Sequence, residues 1–296
     1  MKLTEIKTFH NALSVIKDAE KLCKSFDPES DCKSYLIQKI NSNQSKTFLL
    51  NNNSEPIGIA IIEIIERMYG NIILHCIDTD HEPILAQLLK EKINNNILEL
   101  IQFTNNFNYR DTFIHLGFKE KERARMIHHD IGIYADIPEV PNIQFEQLNN
   151  THNEICGQIS YSAHKHRQHI ECYDVYSSEK NRSKFASELR MKKHGQTISE
   201  SSLLMLLNNE PVGLIEVIDT KHFNEHIGWI MDVALRPSFQ GLGYGQLLIK
   251  KSLCEAYKIG YNKVGLGVTL NNTGPHQLYQ NLGFEEYEIF VEIINM

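Results

Sequence analysis

Three glycines at 241, 243 and 245, set between Gln240 and Gln246, have the type and spacing to cradle an anion. Glycine takes positive φ without strain and lets backbone N–H groups approach a charged oxygen. A helix starting just behind such a loop adds partial positive charge. The chemistry on offer is phosphate binding. Upstream, Ile227 to Leu235 is an apolar run rich in branched and aromatic residues, which predicts a buried strand stopped by Arg236 and Pro237. Downstream, Gln246 to Tyr257 lacks glycine and proline and puts Leu247, Leu248, Lys251 and Cys254 at helical spacing. A dinucleotide loop needs G-x-G-x-x-G, and its third glycine falls on Gln246. A P-loop ends in Gly-Lys-Ser/Thr, which is absent. On the glycines alone a plain surface turn stays open.

The order Gln240-x-x-Gly243-x-Gly245 resembles motif A of the GNAT superfamily of acyl-CoA N-acyltransferases. Further on, Lys263 to Leu270 predicts another strand, followed by Asn271, Asn272 and Leu278-Tyr279-Gln280-Asn281-Leu282-Gly283-Phe284, similar to the family's motif B. Pro275 stands where the family has alanine, a change tolerated in the first turn of a helix. The resemblance implies acetyl-CoA as cosubstrate and no metal. Its pyrophosphate would lie on Gln240, Gly241, Leu242, Gly243, Tyr244, Gly245 and Gln246, with Asn272 and Tyr279 beside the cofactor. Its pantetheine arm would pair as an extra strand along Val233, Ala234 and Leu235, between two strands that splay apart.

The resemblance also implies direct attack by an amine in a ternary complex, with a backbone N–H holding the oxyanion and Tyr279 protonating the departing thiolate. A lysine-type ammonium with a pKa of about 10.4 is neutral roughly once in a few thousand at pH 7, so the site must desolvate it or supply a base. Asp232, Glu216 and Glu225 are the carboxylates on or beside the cleft strands, and Asp232 and Glu216 are the candidate bases. Alternation of period two puts Asp232 on one face with Gly228, Ile230 and Ala234. A water chain, with these carboxylates only structural, is the alternative. The acceptor would be a primary amine, on a protein or a small molecule.

His164 to Tyr176, HKHRQHIECYDVY, falls between two predicted helices where the family builds the acceptor side. It offers Glu171 and Asp174, with Glu225, as groups that select an amine. A polar surface loop is the plainer assignment. Histidines 164, 166 and 169 lack a familiar metal spacing, and His128 and His129 are expected at the surface.

The elements that must hold these groups occur twice. In the second half they run Ile143 to Leu148, a helix from about Asn153, a helix from about Ser178 to Lys193, then a hairpin of Ser202 to Leu207 and Val212 to Ile218 ahead of the central strand. In the first half, helices over Phe9 to Cys23 and Tyr35 to Ile40 precede strands at Thr47 to Leu50, Pro56 to Ile65 and Ile72 to Ile77. The turns Asn-Ser-Glu-Pro-Ile-Gly and Asn-Asn-Glu-Pro-Val-Gly are close relatives. The expected fold class is α/β (α+β): tandem GNAT folds, each a mixed, mostly antiparallel twisted sheet flanked by helices.

The first copy lacks the chemistry. Asp78-Thr79-Asp80-His81-Glu82-Pro83 replaces the glycine loop with acidic side chains that repel a pyrophosphate. Thr112-Phe113-Ile114-His115-Leu116-Gly117-Phe118 keeps motif B, after Asn106, with Phe113 in place of the tyrosine. Residues 1–135 are therefore expected as a degenerate, non-catalytic GNAT domain and 141–296 as the active one, joined by the proline-bearing stretch 135–141.

At 296 residues and 42% hydrophobic the chain is long enough for two cores. A net charge of −7, from 37 acidic against 30 basic residues, argues against nucleic acid and suits a cationic acceptor. Cysteines at 23, 32, 76, 156, 172 and 254 form no C-x-x-C pair and predict a reduced, cytoplasmic chain with thiols as core filler. No stretch near the N-terminus is apolar enough for a signal peptide or a membrane span. The tandem layout, the worn first copy and the Asn, Lys and Ile-rich composition resemble the VipF-type acetyltransferase effectors of intracellular bacteria. That implies a host-protein target and secretion without a cleaved leader. The competing function class is a non-catalytic acyl-CoA-binding or protein-interaction module.

Overall fold

The computed structural model describes residues 1–26, 31–64, 69–93, 97–102, 108–166, 174–222 and 225–294. Its elements begin with β1 (Lys2–Ile6), α1 (Leu13–Phe26), α2 (Cys32–Ile40), β2 (Ser45–Asn52), β3 (Glu55–Ile64), β4 (Tyr69–Cys76), α3 (Glu82–Leu89), β5 (Ile97–Gln102), α4 (Asn108–His115) and β6 (Lys119–His128). There follow β7 (Ile143–Gln147), α5 (Asn153–His164), α6 (Glu179–Arg190), β8 (Gln196–Thr197), β9 (Leu203–Leu207), β10 (Glu210–His222), β11 (Glu225–Leu235), α7 (Tyr244–Lys258), β12 (Val264–Thr269), α8 (Thr273–Asn281) and β13 (Glu285–Ile294).

Two compact units emerge, Met1–Glu122 with Phe290–Met296, and Arg123–Ile289. In the first, the strand order is β1-β2-β3-β4-β5, completed by the last residues of β13, where Glu292, Ile293 and Ile294 pair with Glu99, Leu98 and Ile97. In the second it is β7-β9-β10-β11-β12, completed by the last residues of β6, where Arg123 to His128 pair with Thr269 to Val264. Each copy of the repeat thus receives its final strand from the far side of the other in sequence. This division differs from a linear one at 135–141, and that stretch lies within the second unit. There the Cys254 thiol donates to Ala135 O at 3.4 Å, and the neighbouring Tyr134 hydroxyl donates to Leu282 O at 2.8 Å.

Period-two alternation sorts each sheet into two cores. In the first unit, Leu49, Ile59, Ile61 and Ile73 pack under α1 and α2, while Leu50, Ala60, Ile72 and Leu74 pack under α3 and α4. In the second, Leu204, Leu206, Leu214 and Ala234 meet α5 and α6, while Met205, Ile215, Val217 and Leu266 meet α7 and α8. The related turns take the same form: Asn53 and Ser54 have φ of 49° and 74°, and Asn208 and Asn209 have 51° and 64°. Left-handed backbone at both central positions matches the twist of a two-residue hairpin. Five cysteines, 23, 32, 76, 156 and 254, are buried with free thiols.

His128, expected at the surface, is buried instead, edge-on to Tyr134 and Phe284 with ring centroids 5.6 and 5.4 Å away. Burial pushes its imidazole pKa down. It also shapes the turn after α8. Gly283 has φ +82°, and a Cβ there would lie 2.9 Å from His128 Nε2. Gly283→Ala is expected to destabilise the protein by about 1–3 kcal/mol, read as a lower chemical-denaturation midpoint, because left-handed strain and a close ring act together.

Candidate functional site

The site begins where two parallel strands part. β11 and β12 pair only at Gly228–Val264, Trp229–Gly265 and Ile230–Leu266, although β11 runs on to Leu235 and its pairing with β10 continues to that end. Beyond Ile230 the other edge of β11 therefore faces a cleft. The corresponding pair in the first unit, β4 and β5, stays zipped from Tyr69–Ile97 to Leu74–Gln102.

A bulge sets the side-chain directions at this point. Glu216 faces Asp232 and Val217 faces Ile230, so Met231 has no partner. The expected alternation fails here. Gly228 and Ile230 lie on the α7 side, where a Cβ at 228 would meet Val217, whereas Asp232 and Ala234 lie against α5 and α6. Asp232 and Ile230 are on opposite faces.

At the mouth of the cleft, Gly241 and Gly243 have φ of 74° and 84°, and a Cβ on either would meet nothing within 4 Å. Backbone conformation, and not crowding, requires glycine there. Gly243 precedes α7, whose first backbone bond runs from Leu247 N to Gly243 O at 3.1 Å. The amides of Tyr244, Gly245 and Gln246 come before that bond and carry the positive end of the helix. Gln240 Nε2 donates to Leu235 O at 2.9 Å, tying the loop to the strand end.

Strand edge, loop and α8 enclose a cavity of about 470 Å³. Val233, Ala234 and Leu235 line it from the strand, and Gln240, Gly241, Gly243, Gly245 and Gln246 from the loop. Tyr279 of α8 is in its wall, 7% exposed and edge-on to Phe284 at 5.9 Å. The other cofactor candidates lie elsewhere. Leu242 is 64% exposed, Tyr244 packs near Phe239 with ring centroids 6.4 Å apart, and Asn272 caps α8 through its carbonyl, which accepts from His276 N at 3.1 Å. Ala163, Ile249, Gly274, Pro275 and Leu278 complete the wall. Pro275 and Leu278 fall in motif B, and nothing in the types of Ala163, Ile249 and Gly274 singles them out in the sequence.

The carboxylates sit behind this wall. The Asp232 carboxylate accepts from Ser160 Oγ at 2.7 Å, from His164 Nε2 at 3.0 Å and from the Arg182 guanidinium, and Arg182 Nε also donates to Ser160 Oγ at 2.8 Å. Burial alone would push this carboxyl up, but Arg182 with the His164 and Ser160 hydrogen bonds outweighs it and holds Asp232 well below the usual carboxylate range. Glu216 pairs with Arg190 at 2.8 Å, yet burial and the facing Asp232 raise its pKa against the pull of that arginine. Neither side chain lines the cavity. His164, assigned to a polar surface loop, is 3% exposed. The available signal was the helical i, i+4 spacing of Ser160 and His164, which puts both on one face of α5.

Of the acceptor candidates, Glu225 does not line the cavity. Glu225 opens β11, ten residues before Leu235, and is ion-paired with Lys263, which lowers its pKa. Asp174 begins a single 3₁₀ turn that ends at Tyr176. Glu171 lies outside the described residues.

Residues 166–284 match the acetyltransferase (GNAT) family. This stretch of the chain belongs to the GNAT family. It covers the splayed strands, the glycine loop and the turn after α8. An uncharacterized N-acetyltransferase of Methanocaldococcus jannaschii is 33% identical over 87 residues, and the alignment spans 28% of this chain and 38% of that relative. Among solved structures, a GCN5-related N-acetyltransferase from Sphaerobacter thermophilus superposes with a TM-score of 0.61 at 14% identity, over 99% of this chain and 95% of its own. A tandem GNAT protein from the clavulanic acid biosynthesis pathway gives 0.55 at 9% identity, over 99% and 98%. At such identities the likeness is one of fold, and it extends over both units: the chain has tandem GNAT folds. Among the described residues no helix is long and apolar enough to cross a membrane, and no group of three or more His, Cys, Asp or Glu side chains is placed to hold a metal.

Proposed function

We propose that the chain is an N-acetyltransferase that moves an acetyl group from acetyl-CoA to a primary amine in a ternary complex. The observation that supports it is the meeting of three features in one cavity: the α7 residues Gly245 and Gln246, the edge of β11 at Val233 to Leu235 that β12 does not pair with, and Tyr279. The amides and helix end balance the charge of a diphosphate. The strand edge offers backbone groups that align an amide-bearing arm as an added strand. The Tyr279 hydroxyl then gives its proton to the departing thiolate. Asp232 and Glu216 are engaged in ion pairs behind the wall, so water in the cavity takes the proton of the attacking amine. A net charge of −7 favours a cationic acceptor.

The first unit is a non-catalytic copy in this scheme. Its β4 and β5 do not open over the paired stretch, the Asp78 side chain caps its own turn at Asp80 N, and Phe113 has no hydroxyl. Calorimetry is expected to give one acetyl-CoA per chain. Release of free thiol across a panel of small amines, peptides and proteins then tests transfer, and a host protein, as the effector resemblance implies, is one arm of that panel. Binding with no thiol release from any acceptor supports the binding-module alternative. A stoichiometry of two overturns the non-catalytic role of the first copy.

A further inference from the structure

Behind the cavity lies a polar cluster that the proposed chemistry does not use. Asp232 directly follows the bulge at Met231 and directly precedes Val233, the first cavity-lining residue of β11. Its carboxylate gathers donors from both covering helices: Ser160 and His164 of α5, and Arg182 of α6. These four side chains are 5% exposed or less. Arg182 is further held between the rings of Tyr176 and Phe185, 4.4 and 4.6 Å from their centroids. His164 is the neighbour of Ala163, which lines the cavity from α5.

We infer that Asp232 is a positioning residue, which with Arg182, Ser160 and His164 fixes the separation between α5 and the open edge of β11, the two walls between which acyl group and amine must meet. A buried arginine–carboxylate pair is poor evidence for stability, since apolar residues of similar volume serve as well or better. What such a pair supplies here is geometry. Three directional donors from two helices converge on one carboxylate that sits one residue before the cleft, so α5, α6 and β11 can take only one register. A general base needs a lone pair facing the substrate, whereas the Asp232 carboxylate is turned to donors on α5 and α6 and is 5% exposed. The inference rests on the cavity being the acetyl-CoA site.

The test uses the full chain with Asp232→Asn and Arg182→Lys, each checked for cooperative thermal unfolding. With a misplacement on the order of 1 Å at the cleft, kcat is expected to fall about 10- to 100-fold in either variant, with acetyl-CoA affinity within about threefold and an unaltered pH–rate profile. The pair Asp232→Asn with Arg182→Lys is expected to lose no more than the worse single variant. Loss of the ascending limb of the pH profile in Asp232→Asn alone, with Arg182→Lys fully active, would make Asp232 the base and overturn the positioning role. So would folded variants with unchanged kcat. Amide hydrogen exchange at 233–235, followed without substrate, separates this from the cavity assignment: faster exchange in Asp232→Asn supports positioning even if wild-type protein binds no acetyl-CoA, and unchanged exchange overturns it even if it does.

Discussion

A Tyr279→Phe enzyme is expected to lose about 100- to 10,000-fold in kcat, the range that one well-placed proton donor contributes, while holding acetyl-CoA within about threefold of wild-type affinity. The substitution removes a single oxygen. The ring keeps its place in the wall and its edge contact with Phe284 at 5.9 Å, so packing and the cavity's volume are preserved. What disappears is the proton that stops the thiolate from returning to the acyl carbon before the amine product is committed. Steady-state thiol release measures the first number and calorimetry the second. Unchanged turnover would make Tyr279 a packing residue. The first unit carries the same change in place: Phe113 is fully buried and T-stacked on Phe118 at 5.1 Å. A phenyl ring suffices for the core at that position of the first unit.

The glycine loop is legible in the sequence because its requirement is local. Positive φ at Gly241 and Gly243, a strand before and a helix after are all written within about twenty residues, and the cavity closes on those residues. Motif order then places Tyr279 from a distance. The carboxylates were less legible. A count of alternate residues along β11 sets Asp232 beside Ile230, and one unpaired residue at Met231 reverses it, a defect no periodicity announces. The donors that occupy Asp232 come from 50 to 72 positions away, on helices whose polar residues look solvated in isolation. The exchange of final strands is hidden for a related reason: alternation identifies a strand and the face it buries, but nothing in it names the edge it joins.

That exchange predicts where the chain can and cannot be cut. A fragment of residues 141–296, the natural choice from the proline-bearing linker, is expected to be insoluble, whereas 123–289 is expected to be soluble and to unfold cooperatively. The 141–296 fragment lacks Arg123 to His128, so the edge of β12 from Val264 to Thr269 loses its partner, and Ala124 and Met126, both fully buried, leave the core. Burying a methionine-sized side chain stabilises by about 1.5–3 kcal/mol, a large share of what a domain has in total. The bared edge is in addition a template for aggregation. Deleting 290–296 from the whole chain transfers the damage to the first unit. It strips Val291 and Ile293 from the core that holds Phe113 and bares the edge of β5 that pairs with β13, while the glycine loop and Tyr279 belong to the second unit. The truncated chain is therefore expected to show a lower unfolding transition for the first unit with acetyl-CoA affinity retained, and differential scanning calorimetry with and without acetyl-CoA distinguishes the two transitions. Loss of cofactor binding on removing those seven residues would mean that the second unit depends on the first for more than its own sheet provides.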